Sequence, residues 1–317
     1  MTRIRHLSFM LLLAAVWLMH SGVLFSQDAM PDVASPQLPL FSVAESPESF
    51  MLSEPIKLVS GVPEGFSGCG PNVIYDDSCS LFPFMKKLNS LRTGMQSSPV
   101  RIVHIGDSHV RGYIFPDEVK RLLERDFGSA AAPAKLAYNS SGIAQETGGA
   151  GIVYHIMAVN GSTAQNFCDP VKVDKVAALK PDLIVISFGT NESMGRYDKD
   201  VHKNQLDMLL RMLRERCPSA SFLLTTPPGC FSKSRRSVPN AKVASVASSI
   251  RAYAAEKGVA CWDLYDVAGG KDKACTNWYR NKLMQRDRIH FTGEGYLVMG
   301  RLMHAALIDY FNRYVSK

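Results

Sequence analysis

The sequence predicts an α/β fold, a three-layer α/β/α sandwich on a five-stranded parallel sheet. Short runs rich in Val, Ile and Leu recur along its 317 residues, and such runs read as strands buried on both faces. Segments of helix length with an apolar stripe separate them, the alternation that a parallel sheet requires. A content of 46% hydrophobic and 21% charged residues is enough for a sizeable core.

The chain begins with a segment of a different kind. Residues 1–26 carry Arg3 and Arg5, an apolar run from Leu7 to Leu18, and smaller residues near Ser21 and Gly22, the pattern of a secretory signal. Removal of the segment implies a periplasmic or secreted protein with no stable membrane insertion. The alternative is an uncleaved N-terminal anchor, because Leu24 stands where a smaller residue is commoner before a cut at Gln27. Residues 27–94 read as a linker or arm, with Pro31, Pro36, Pro39, Pro47, Pro55 and Pro63 preceding one short helix at Phe82–Leu91.

Residues 95–317 form the main domain. Its expected strands are Val100–Ile105, Ile152–Val159, Leu183–Phe188, Phe222–Thr225 and Val259–Leu264. Helices are expected at Phe115–Phe127, Val201–Arg216, Ala241–Lys257 and Gly293–Tyr314, with an irregular excursion over 128–151.

Charge and cysteine usage exclude several functions. Loss of residues 1–26 removes two arginines and no acid, taking the net charge from +7 to +5. No Lys/Arg block or aromatic-basic face accompanies this mild excess, so a nucleic acid partner is not expected. Seven cysteines in an exported chain point to disulfides plus buried thiols, with Cys69–Cys79 the favoured pair. Neither Cys-x-x-Cys nor Cys-x-x-His occurs, and His104, Asp107 and His109 lack zinc-site spacing, so neither metal nor other cofactor is expected. The sequence leaves the oligomeric state open.

Four stretches carry the chemistry: Gly106-Asp107-Ser108-His109, Asn160-Gly161-Ser162, Gly189-Thr190-Asn191-Glu192 and Asp287-Arg288-Ile289-His290. The first three follow the first three expected strands and the fourth precedes the last helix, so all fall at the carboxyl edge of the sheet, where ligands bind in such folds. Each has a bland reading alone: Ser108 as a helix cap, Asn191 as a turn residue, Asp287 as a surface carboxylate. Together they supply a nucleophile, a base, an orienting carboxylate and oxyanion donors. No Gly-x-Ser-x-Gly elbow is present.

In order and spacing these blocks resemble the SGNH, or GDSL, hydrolases over residues 95–317. The resemblance implies a flavodoxin-like sheet in which Ser108 attacks an ester, with His290 and Asp287 completing the triad. It also implies an oxyanion hole of the Ser108 and Gly161 backbone N–H groups and the Asn191 amide. Two departures are His109 after Asp107-Ser108, where Leu is usual, and Glu192 after Asn191, where Asp is common. The Gly-Asp-Ser-His form, Trp262-Asp263-Leu264-Tyr265 and Gly269-Gly270 resemble a bacterial envelope branch that includes peptidoglycan O-acetylesterases.

The expected substrate is therefore an acylated carbohydrate or peptidoglycan, with acetyl the favoured acyl group. Candidate substrate contacts are His109, Glu192, Trp278, which with Tyr279 is expected in the loop before Asp287, and Arg235, which clusters with Lys233 and Arg236. Two alternatives stand beside this reading: a lipolytic or thioester-cleaving enzyme on the same scaffold, and a non-catalytic envelope carbohydrate-binding protein.

Overall fold

The computed structural model describes residues 51–58, 61–133, 142–234 and 238–317. The expected signal segment, the arm up to residue 50 and Arg235 lie outside them. In chain order the elements begin with β1 (Ile74–Tyr75), α1 (Phe82–Arg92), β2 (Pro99–Gly106), α2 (Ser108–Arg111), α3 (Ile114–Phe127), β3 (Gly151–Ala158), α4 (Ala164–Phe167), α5 (Pro170–Ala178) and β4 (Leu183–Ser187). There follow α6 (Thr190–Met194), α7 (Lys199–Arg216), β5 (Ser221–Thr225), α8 (Lys242–Lys257), β6 (Ala260–Trp262), α9 (Leu264–Val267), α10 (Gly270–Arg280) and α11 (Gly293–Val315).

The sheet runs β1-β6-β5-β4-β2-β3. β2 through β6 are parallel, in the order of a flavodoxin-like sheet, and β2 lies between β4 and β3. The two-residue β1 adds a sixth strand, antiparallel to β6, pairing Ile74 with Trp262. Alternation along β2 explains why its apolar run is unbroken: Val100 and Ile102 join the core beneath α1, α3 and α11, while Val103 and Ile105 join the one beneath α7 and α8. Both layers of helices thus rest on the same strand, which has a neighbour on either side.

Residues 51–58 and 61–94, within the expected linker or arm, belong to the same compact unit as the rest of the described chain. Asn312 clamps Ile56 through both its amide atoms, at 2.7 Å each. Asn89 does the same for Ser53 N–H and Met51 C=O at 2.9 Å. The expected Cys69–Cys79 disulfide is not formed, and all seven cysteines are free thiols.

The expected strand Val259–Leu264 ends at Trp262, because the Asp263 carboxylate caps the next helix by accepting from Asp266 N–H at 3.2 Å. The larger revision is α10, where a loop was expected. Gly269, at φ +110°, turns the chain into the helix, and Ala274, Cys275 and Trp278 then fall on one buried face.

The last helix determines where the residues before it can stand. At Gly300 α11 approaches α3 so closely that an added Cβ would lie 2.6 Å from Glu118 Cβ and 3.0 Å from the Phe115 carbonyl oxygen. Gly300→Ala should therefore push the helices apart and cost about 1–3 kcal/mol, despite alanine's better helix propensity. Urea unfolding measures this, and an alanine variant as stable as the parent would refute the packing argument.

Candidate active site

The four sequence blocks converge. β2 ends at Gly106, and Asp107 caps α2 by accepting from His109 N–H at 2.9 Å, which places Ser108 in the first turn of that helix. Oγ of Ser108 lies 3.0 Å from Nε2 of His290, and Nδ1 of His290 donates to Oδ2 of Asp287 at 2.6 Å. The other Asp287 oxygen accepts from the backbone N–H groups of Ile289 and His290, both at 3.0 Å. Burial works to raise the Asp287 carboxyl, but these hydrogen bonds prevail and hold it below the ordinary carboxylate range.

Closing this loop requires a left-handed residue, and Arg288 supplies it at φ +57°. Its guanidinium stacks over Tyr279 at 4.2 Å, lies 5.5 Å from the Phe231 ring centroid and donates to the Tyr279 hydroxyl at 3.0 Å. Its carbonyl accepts from Phe231 N–H at 2.9 Å. These contacts hold an uncommon backbone conformation between the two acid–base partners.

The second and third blocks meet through one amide. Nδ2 of Asn191, near the start of α6, donates to the Ser162 carbonyl at 2.9 Å and, over a longer 3.3 Å, to Oδ2 of Asp107. Gly161 has φ +74°, and apart from its chain neighbours no atom of the described residues lies within 4 Å of a Cβ built there. Its backbone therefore demands glycine, and a side chain would project into open space at the cleft that Gly161 lines. That cleft has a volume of about 890 Å³ and is also lined by Ser108, Asn191, Asp287 and His290.

Three of the substrate contacts expected from sequence are placed otherwise. Trp278 is fully buried, donates through its indole N–H to the Pro228 carbonyl at 2.8 Å and meets Phe66 and Phe291 edge-on, so it has no face for a sugar. Glu192 uses both carboxylate oxygens as acceptors from backbone, Gly189 N–H and Ala164 N–H, each at 2.9 Å. It braces the loop after β3 against the one after β4, and burial raises its pKa.

His109 lies beneath the cleft, 6% exposed, with Nδ1 sharing a 3.1 Å hydrogen bond with the Tyr296 hydroxyl and its ring 5.5 Å from that of His290. Burial, aided by the neighbouring His290, pushes its pKa down to about 3, so it packs as a neutral ring. His104 gives one ring nitrogen to the Tyr154 hydroxyl and the other to Ser187, as befits a satisfied core histidine.

Sequence reasoning missed Arg111, Ile114, Met194 and Gln285, which line the cleft. Arg111 carried a signal, since it stands one helical turn beyond Ser108. The other three lie outside the four blocks and carried none.

The fold and the Ser108–His290–Asp287 relay fit a class, acyl-transferring hydrolases built on a parallel α/β sheet. Residues 104–298 match the GDSL-like lipase/acylhydrolase family, and the chain belongs to it. Among solved structures, a peptidoglycan O-acetylesterase is similar with a TM-score of 0.62 and 19% identity, over 77% of this chain and 99% of that one. A lipase/acylhydrolase from Enterococcus faecalis has a TM-score of 0.46 and 19% identity, over 67% of this chain and 96% of that one. For a GDSL-like lipase from Bacteroides thetaiotaomicron the values are 0.42 and 17%, over 73% and 98%. No curated protein matches the chain. At these identities the likeness is one of fold.

Two outcomes test this description. Trp278→Ala should lose about 3–5 kcal/mol of stability in denaturant unfolding while KM of the folded fraction stays within about twofold. A large rise in KM without loss of stability would restore Trp278 to the substrate. Asp107 is pushed up to about 7, by burial first and by the Glu192 charge, against the hydrogen bond from His109 N–H. Between the ordinary carboxylate pKa and 7 the folded state then holds a proton that the unfolded state has lost. The parent should thus lose stability as pH rises through that window, by up to about 1.4 kcal/mol per pH unit. Asp107→Asn should flatten this slope and gain on the parent towards pH 8; parallel stability curves for the two proteins would contradict the assignment.

Proposed function

We propose that this chain is an exported serine esterase that removes a small acyl group, acetyl foremost, from an envelope carbohydrate such as peptidoglycan. The observation that carries the proposal is the relay: Ser108 Oγ at 3.0 Å from His290 Nε2, with His290 Nδ1 at 2.6 Å from Asp287, opening onto the large cleft. A serine hydroxyl is a weak nucleophile at neutral pH. His290 takes its proton as Oγ attacks the ester carbonyl, then returns that proton to the departing sugar oxygen. Water repeats the sequence on the acyl-serine and releases the acid. Asp287 keeps the proton-bearing nitrogen of His290 directed away from Ser108 and balances the imidazolium charge.

The tetrahedral oxyanion takes its hydrogen bonds from the Ser108 and Gly161 backbone N–H groups and from the Asn191 amide, whose long contact to Asp107 is the weaker of its two present bonds. Export rests on the N-terminal segment, residues 1–26, with its apolar run behind two arginines; no helix among the described residues is long and apolar enough to cross a membrane. The cleft volume is compatible with a carbohydrate substrate, since it falls within the range of about 300–1,000 Å³ that holds whole small ligands and leaves room beyond the acyl group. The similarly folded peptidoglycan O-acetylesterase supports the same choice.

Acetate release from O-acetylated peptidoglycan and O-acetylated xylan, measured side by side, tests the reading. Ser108→Ala should lose several orders of magnitude in kcat, and Asn191→Ala about 10²–10³-fold. Turnover undiminished in Ser108→Ala would end the proposal, and octanoyl esters cleaved far faster than acetyl esters would turn it towards a lipolytic enzyme.

A further inference from the structure

We infer that Tyr279 forms an outer subsite of the cleft, a flat platform on which one sugar ring of a glycan chain stacks while the ester of a neighbouring sugar lies at Ser108. The inference rests on the esterase reading above and adds to it a preference for a chain over a single sugar. Large aromatics in this protein are covered, Trp278 completely, and among the described residues Tyr279 is the one that stands exposed, at 44%. A single apolar residue on a surface is ordinary. What sets this one apart is where it stands and how firmly it is held.

Arg288, which stacks over one face of the Tyr279 ring at 4.2 Å, lies in the chain between Asp287 and Ile289, and both of those line the cleft. Phe231, which meets the ring at 67° with centroids 5.7 Å apart, comes two residues before Lys233, on the same lining. The ring therefore borders the cleft. With a guanidinium over one face, Phe231 at an angle to it and a 3.0 Å hydrogen bond accepted by its hydroxyl, it has little freedom left to lose when a ligand binds. Arg288 also carries the left-handed turn between Asp287 and His290, so the platform and the relay share one loop. A ring on Tyr279 and an ester at the nucleophile are thus held in register.

The chemistry selects the occupant. A pyranose presents a face of C–H groups and keeps its hydroxyls at the rim, so an aromatic plane covers the apolar part without stripping water from the polar part. A cleft of about 890 Å³ accommodates a single acylated sugar by itself. Tyr279 then adds affinity only for a substrate that extends beyond that sugar.

Soluble glycan strands from O-acetylated peptidoglycan, set against the single O-acetylated N-acetylmuramic acid, test this with kcat and KM measured per acetyl group. The parent should favour the strands through KM. Tyr279→Ala should lower the ratio of kcat/KM on strands to kcat/KM on the single sugar by about three- to tenfold, the size of one aromatic stacking contact. Both substrates depend on the same relay, so any disturbance of the loop through Arg288 cancels in this ratio. Tyr279→Trp should retain the parent's ratio, while Tyr279→Met, which covers the arginine without offering a plane, should behave as alanine does. A ratio unchanged in the alanine and methionine variants would overturn the subsite while leaving the esterase reading intact, as would a parent with one KM for both substrates. Cleavage of 4-nitrophenyl acetate with neither sugar ester would instead defeat the carbohydrate reading, and the subsite with it.

Discussion

The 3.0 Å contact between Ser108 and His290 joins residues 182 positions apart, and much of the structure serves to maintain it. One partner opens the helix that follows β2, the other sits on the loop before the last helix. Their separation is set by two rigid connections. β2 is paired with β3 along its whole length and with β4 from Ile102 to Gly106, and α11 lies against α3 with only a glycine between them at residue 300. A displacement of about 1 Å in either would take the pair out of proton-transfer range, and rates fall steeply with such errors. Packing far from the cleft is therefore part of the chemistry.

Around that contact the local backbone is arranged at some cost in stability. Among the described residues Asp107 has no cation beside it and one ring nitrogen of His109 has no partner, both groups being buried, while Arg288 sits in the left-handed region. Each is unfavourable taken alone. Each also stands directly beside a residue of the relay, and the connecting bonds run through Asn191, Glu192 and Tyr296. Asn191 ties the first block to the second, while Glu192 ties the loop just after the second block to the third. The loops after three strands thus form one network and not three independent turns.

Much of the frame was legible in the sequence because parallel strands advertise themselves: Val, Ile and Leu runs such as Ile102–Ile105 and Leu183–Ile186 are buried on both faces, and the order of the blocks followed from them. The elements that escaped notice had weak or contrary local signals. β1 is two residues long and exists only by pairing with β6. α10 begins at Gly269-Gly270, which reads as a turn until its far end is seen to bury Trp278. α5 did carry a legible start, Asp169 capping a helix with Pro170 at its first position, within a stretch that shows little apolar periodicity. Trp278 shows the general difficulty: an aromatic near a site in sequence is equally suited to a sugar or to the core, and only burial distinguishes the two.

The same contrast separates reaction from substrate. An acyl transfer needs few groups at fixed distances, so the residues that fit it fall in short blocks at strand ends, where backbone geometry is reproducible. The rest of the cleft is lined by side chains from several loops, Gln285 and Lys233 among them, whose proximity follows from tertiary packing and not from spacing along the chain. Arg111 belongs to both worlds. Helical geometry ties it to Ser108, one turn away along α2. Its place on the cleft is thus set by the same short helix that presents the nucleophile, whereas Gln285 and Lys233 reach the cleft only through the packing of loops distant in sequence.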